Sequence, residues 1–198
     1  MMIKYPNGEK YQCSSKAKKK SAQEISFSSA NRGMSLEEDI NLSNDYYLRS
    51  GVLLITKRST PIRVVKVDYS KRAKIVDAFF EKQSTTDYNG VYKGRYIDFE
   101  AKSTKNKNSF PLSNITSHQI NHLKSVLKFG GIAFFIIEFA YHDKVYLLDA
   151  SYVINFYEKG ERKSIPFTTV CQNGLLIKRG FNPRLDYLSA VEEKYFAK

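Results

Sequence analysis

Cysteine is scarce in this chain. Cys13 and Cys171 stand far apart in the 198 residues and form no Cys-x-x-Cys unit. That excludes a cysteine-rich zinc site or a disulfide-stapled scaffold and points to a reducing compartment. Long apolar runs are lacking as well. The longest, Ile132 to Ile137, falls far short of the ~20 residues a spanning helix needs. Residues 1–20 are polar and basic and hold no apolar core of a secretory signal. Neither a secreted nor a membrane protein is therefore expected. Acidic residues are the third deficit: 20 Asp and Glu face 32 Lys and Arg, a net charge of +12. Such a surplus repels itself in the folded state and is relieved by a polyanionic partner. Nucleic acid comes ahead of an anionic membrane surface, because no strongly amphipathic basic helix accompanies the charge.

What is present is ordinary globular composition, 42% hydrophobic and 26% charged. A chain of this length suits one domain, or one domain with a tail, and buries roughly 70% of its extended surface without help from metal or disulfides. Residues 1–33 differ from the rest. They hold Lys4, Lys10, Lys16, Lys18, Lys19, Lys20 and Arg32 against Glu9 and Glu24, among Ser, Gln and Asn, with no sustained period. They read as a flexible basic arm, with a solubilising tail as the alternative. Further basic concentrations lie at Lys71, Arg72 and Lys74, at Lys102, Lys105 and Lys107, and at Lys178 and Arg179.

From Ser35 the pattern becomes regular. Ser35 and Glu38 form a capping box that predicts a helix to about Ser50, ended by Gly51. Short β-rich runs at Val52–Ile55 and Ile62–Val67 follow. Ser70 to Lys82 reads as a second helix with Val76, Phe79 and Phe80 on its apolar side. Strands are expected over 85–92 and 95–102. Thr116 and Gln119 open another capped helix, which Gly130 and Gly131 end. Ile132–Phe139 and Val145–Leu148 read as buried strands, and Ser151–Tyr157 and Leu185–Phe196 as helices. The order α-β-β-α-β-β-α-β-β-α predicts an α/β fold, a mixed sheet flanked by helices.

The chemistry is carried by the segment from Thr85 to Lys102. Side chains alternate along a strand, so Ile97, Phe99 and Ala101 face a core while Asp98, Glu100 and Lys102 face the other way. A turn at Lys93-Gly94 makes opposed residue numbers sum to 187 and sets Asp87 across from Glu100 and Thr85 across from Lys102. Asn89-Gly90 is the rival turn by dipeptide preference. It would leave the long second strand mostly unpaired, so a bulge is the alternative role for that pair. Two facing carboxylates repel by roughly 0.2–1 kcal/mol. A hard divalent cation offsets this, since Mg²⁺ takes oxygen ligands and commonly uses one or two carboxylates. A lysine two residues from one ligand can stabilise an attacking hydroxide or a pentacovalent phosphorus transition state. Asp, a spacer and Glu-x-Lys thus fit metal-assisted phosphodiester hydrolysis, with one ion or two.

Longer stretches around these residues resemble the RecU Holliday-junction resolvases of Gram-positive bacteria, within the restriction-endonuclease-like PD-(D/E)xK nucleases. The resemblance covers Tyr5-Pro6-Asn7-Gly8, Asn31-Arg32-Gly33-Met34 with Leu36-Glu37, and Pro61-Ile62. Its most specific stretches are Ser84 to Gly90, Tyr96 to Lys102 and Ser109-Phe110-Pro111-Leu112. His118-Gln119-Ile120 and Pro183 to Tyr187 also match. It implies a restriction-endonuclease-like sheet with a protruding stalk over about 61–83, set in a nuclease domain over 34–198 that follows the arm. It further implies a Mg²⁺ site of Thr85, Asp87, Glu100 and Gln119, with Mn²⁺ able to substitute. Lys102 would stabilise the transition state, and Glu37 would be the first-helix acid of the superfamily. Gln119 has a second explanation in its capping box, and Glu37 another as an acid near a helix N-terminus. Thr86 stands where the motif's name has proline. Arg32, Lys71, Arg72, Lys74, Lys105 and Lys107 would contact DNA.

The expected activity is a homodimeric, structure-selective endonuclease that nicks a four-way DNA junction symmetrically during recombination and repair. Its implied partners are a strand-exchange recombinase and a branch-migration helicase, in the bacterial cytoplasm at the nucleoid. The alternatives are a duplex-cutting nuclease of the same superfamily or a nonenzymatic basic nucleic-acid-binding protein.

Overall fold

The computed structural model describes residues 35–81 and 85–197. The arm expected over 1–33, with Arg32, lies outside the described residues. Helix α1 (Leu36–Arg49) opens on its capping box: the Ser35 N–H donates to Glu38 Oε2 at 2.8 Å and the Glu38 N–H to Ser35 Oγ at 3.2 Å. Strands β1 (Leu54–Lys57), β2 (Ile62–Asp68), β3 (Lys74–Phe80), β4 (Tyr88–Tyr92), β5 (Arg95–Thr104) and β6 (Ser109–Pro111) follow. Then come α2 (Ser117–Lys128), β7 (Ile132–Phe139), β8 (Lys144–Asp149), α3 (Ala150–Lys159) and β9 (Ser164–Pro166). The chain closes with α4 (Phe167–Asn173), β10 (Leu175–Ile177) and α5 (Tyr187–Tyr195).

Six strands form a sheet in the order β1-β4-β5-β7-β8-β10. β5 and β7 are parallel and every other pair is antiparallel. The mixed sheet expected from the sequence is therefore present, and α2 supplies the crossover that a parallel pair requires. Alternation along β7 shows how both faces are filled. Ile132, Phe134 and Ile136 pack with Ile97 and Phe99 toward α1 and α5. Ala133, Phe135, Ile137 and Phe139 pack toward α2, α3 and α4. A strand buried on both faces reads as one apolar run rather than an alternating one.

The β4–β5 hairpin has the expected register, but β4 begins at Tyr88, three residues later than expected, so Thr85 and Asp87 lie outside its ladder. Tyr88 pairs Phe99 and Tyr92 pairs Arg95, and the turn at Lys93-Gly94 has positive φ at both residues. Asn89-Gly90 is neither turn nor bulge: its pairing with β1 and with β5 is continuous. Gly90 has a different reason to be glycine. A Cβ there would stand 1.9 Å from the Leu54 carbonyl oxygen and 2.8 Å from Ile55 Cα, so the close approach of β1 forbids a side chain.

The helix expected over Ser70 to Lys82 is absent from the described residues. Residues 74–80 form β3, paired with β2 in a two-stranded ribbon of their own. The spacing of Ile75, Val76, Phe79 and Phe80 imitates a helical stripe, but all four are exposed. An isolated helix needs an apolar face to bury. Pairing with β2 instead satisfies the backbone, and β-branched and aromatic residues suit it. Asp68 shapes the turn, accepting from the Ser70 N–H at 2.8 Å and the Ser70 hydroxyl at 3.1 Å, so Ser70 is no helix cap. The ribbon occupies the place of the expected stalk. The short β6, β9, α4 and β10 were not anticipated, and β1 begins two residues later than expected.

Candidate active site

β5 and the segment just before β4 bring Glu100 and Asp87 together at the open end of the hairpin. The Asp87 N–H donates to Glu100 Oε2 at 3.1 Å, and the Ala101 N–H donates to Asp87 Oδ2 at 3.1 Å. Glu100 is fully buried. Its Oε1 accepts from Lys102 Nζ at 2.6 Å and from Gln119 Nε2 at 2.5 Å. Four of the expected site residues therefore form one hydrogen-bonded cluster. Burial, then the charge of Asp87, push the Glu100 carboxyl from 4.5 up to about 7, while Lys102 pulls it down.

Gln119 serves two masters. Its Oε1 accepts from the Thr116 N–H at 2.9 Å, which is the capping box, and its Nε2 faces Glu100. Both readings of this residue meet in one side chain. It presents its nitrogen rather than its oxygen to the carboxylate pair, so in this orientation it orients Glu100.

Two other expected residues lie apart from the cluster. The Thr85 hydroxyl pairs with Arg58 Nη1. Glu37, near the start of α1, pairs with Lys57 Nζ. Tyr88, on the α1 side of the sheet, also reaches Glu37, donating to its backbone carbonyl at 3.3 Å. The Lys57 ammonium is raised chiefly by Glu37, with a smaller contribution from Asp87. Lys57 thus stands in the field of both acids.

Beside the cluster, on the same face of β5, sits a group that alternation located without assigning a role. Asp98 is fully buried. Arg58, Tyr96, His122 and the hydroxyl of Thr86 converge on it. His122 lies one helical turn beyond Gln119 on α2, the one sequence signal that ties it to the site.

Lys71 and Arg72 lie in the turn of the β2–β3 ribbon and Lys74 opens β3, all three exposed. Lys105 and Lys107 are exposed beyond the end of β5, and Lys107 Nζ lies 4.9 Å from the centre of the Tyr141 ring. Arg179 is committed elsewhere, to Asp39 at 2.5 Å and Glu138 at 2.5 Å.

The donor set fits a hard cation. Two carboxylates side by side, one of them raised toward neutrality by burial and then by its neighbour's charge, gain from an ion between them, and one or two carboxylates is the usual protein share for Mg²⁺. Among the described residues no group of three or more His, Cys, Asp and Glu is placed to hold an ion by itself. Also among the described residues, no helix is long and apolar enough to cross a membrane.

Comparison with known proteins adds to this geometry. The family model described as RecU, recombination protein U, matches residues 31–193. A protein of Geobacillus sp. (strain WCH70) named Holliday junction resolvase RecU is 50% identical over 202 aligned positions, covering 100% of both chains. One of the same name from Bacillus cereus (strain AH820) is 48% identical over the same span, again with 100% of both chains. The solved structure of Archaeoglobus fulgidus Hjc, a Holliday junction resolvase, overlaps with a TM-score of 0.39 at 12% identity, covering 69% of this chain and 94% of that one.

Proposed function

The chain belongs to the RecU family, and from that premise we propose that it is a Holliday junction resolvase, a divalent-metal-dependent endonuclease that nicks four-way DNA junctions. The observation that carries the chemistry is the contact of Asp87 with Glu100, with Lys102 Nζ 2.6 Å from Glu100. Asp87 and Glu100 would hold Mg²⁺ or Mn²⁺, and Gln119 orients Glu100. Bound there, the ion supplies a Lewis acid and a water of lowered pKa. Lys102 would stand beside the reacting phosphate and offset negative charge as it develops. Thr85 joins the ligand set only once its hydroxyl leaves Arg58. Glu37, joined to Lys57, flanks the site from the α1 side.

A homodimer would set two such sites on strands of like polarity, so that paired nicks resolve a junction into two duplexes. Phosphate contacts from Lys71, Arg72, Lys74, Lys105 and Lys107, together with Arg32, supply affinity, and the shape of the junction supplies selectivity. The setting is recombination and repair at the nucleoid in the bacterial cytoplasm. A strand-exchange recombinase and a branch-migration helicase are the partners.

The test is cleavage of a four-way junction and of a linear duplex of the same sequence, in Mg²⁺ and in EDTA, beside the Lys102→Ala variant. Junction-selective, EDTA-sensitive cutting that Lys102→Ala abolishes is expected. Equal cutting of the linear duplex, or undiminished cutting by the variant, would overturn the reading.

A further inference from the structure

Asp98 is a buried acid that the proposed chemistry does not use. A carboxylate taken out of water costs several kcal/mol unless it is paired and hydrogen-bonded, so its partners reveal what it is for. Arg58 Nη2 donates to Asp98 Oδ2 at 2.8 Å, the Tyr96 hydroxyl donates to it at 2.8 Å, and His122 Nε2 lies 2.9 Å away. The Thr86 hydroxyl donates to Oδ1. These partners come from the end of β1, from β5, from α2 and from the segment just before β4. Asp87 lies in that segment, Glu100 on β5 and Gln119 on α2.

The segment Thr85-Thr86-Asp87 has no strand ladder of its own. Each residue is tied down separately. The Arg58 side chain reaches the Thr85 hydroxyl, Thr86 reaches Asp98, and the Arg58 N–H donates to the Asp87 carbonyl at 2.7 Å. Arg58 thus holds the segment by main chain and side chain together, and Asp98 holds Arg58. Across the same carboxylate, His122 ties down the helix whose Gln119 rests on Glu100.

We propose that Asp98 and Arg58 are positioning residues, which fix the irregular 85–87 segment against β5 and α2 so that Asp87 meets Glu100 at the spacing a divalent ion needs. Groups that orient metal ligands govern affinity for the ion about tenfold to a hundredfold when removed. The proposal rests on the reading of Asp87 and Glu100 as ligands.

The experiment is calorimetric titration of Mn²⁺ into the full-length protein, for the parent and for Asp87→Asn, Asp98→Asn and Thr86→Val. Junction affinity in EDTA and the Mg²⁺ dependence of cleavage are measured alongside. Asp98→Asn is expected to weaken Mn²⁺ binding about tenfold or more. Thr86→Val, which keeps shape and the Asp98 charge, weakens it less. Both variants should bind junction in EDTA as the parent does and recover most of their cutting rate at raised Mg²⁺. A merely structural role would lower the melting temperature and leave no rescue by metal. Should Asp98→Asn fail to fold, Thr86→Val decides. Parental Mn²⁺ affinity in the variants that fold, while Asp87→Asn loses it, overturns the positioning role alone. Absence of Mn²⁺ binding by the parent, or parental binding by Asp87→Asn, overturns the site reading and this inference with it.

Discussion

If Glu100 is a metal ligand as proposed, its raised carboxyl would make metal uptake a sensor of pH in a range where an ordinary carboxylate is silent. Moving its pKa from 4.5 to about 7 corresponds to roughly 3 kcal/mol. The folded chain keeps a proton that the unfolded chain gives up near pH 4.5. Stability of the metal-free protein from this group is therefore highest below pH 4.5, falls as pH rises toward 7, and levels off above it. A metal ion held by Glu100 would take the same oxygens as the proton, so the two would compete. With a midpoint near 7, Glu100 is about 90% ionised at pH 8 and about 10% at pH 6. Apparent Mg²⁺ or Mn²⁺ affinity should accordingly fall about tenfold from pH 8 to pH 6 and change little above pH 8. Calorimetric titration in two buffers of different ionisation enthalpy counts the proton directly. About one should be released per ion near pH 6 and almost none near pH 9. The rise in melting temperature on adding metal should be larger at pH 8 than at pH 6. Lys102 pulls the Glu100 carboxyl down, so Lys102→Met should move the whole profile to higher pH. Affinity that is flat between pH 6 and pH 8 would refute the reasoning, because it would mean that the ion does not displace the Glu100 proton.

Asp87→Asn should lower junction cleavage in Mg²⁺ by roughly 10²–10³-fold, the equivalent of about 3–4 kcal/mol, and leave junction binding in EDTA nearly unchanged in gel-shift titrations. Replacing Lys71, Arg72 and Lys74 with alanine should reduce the slope of log affinity against log salt by about one for each phosphate that is no longer neutralised. The cutting rate on saturating DNA should change less than the affinity. Gly90→Ala forces a Cβ against backbone atoms of β1, 1.9 Å from the nearest, and should destabilise the fold by about 1–3 kcal/mol. A melting temperature equal to the parent's would show that β1 can move away from β4 without cost.

The β4–β5 hairpin was legible because its signals are local. Ile97, Phe99 and Ala101 alternate with Asp98, Glu100 and Lys102, and Lys93-Gly94 accepts positive φ, so the nearness of Asp87 to Glu100 followed from counting along the chain, although the ladder itself stops at Tyr88. Both capping boxes and the apolar strand β7 were readable for the same reason. The ribbon was misread because Ile75, Val76, Phe79 and Phe80 fit either period, and only the neighbouring β2 arbitrates. The three-residue strands β6, β9 and β10 are too short to carry a period at all.

By itself, then, the chain's order of residues determined the charge that seeks a polyanion, the strand face that carries the acids and the turn that sets them opposite one another. Only the tertiary structure decided that Gln119 would lie on Glu100, that Thr85 would turn to Arg58, and that Arg58, Thr86, Tyr96 and His122 would gather on Asp98. Alternation is a property of one strand, whereas these meetings join residues from the exit of β1, from β5, from α2 and from the approach to β4. Their side chains come within reach of one another only when the sheet and its crossover helix have closed around a common core.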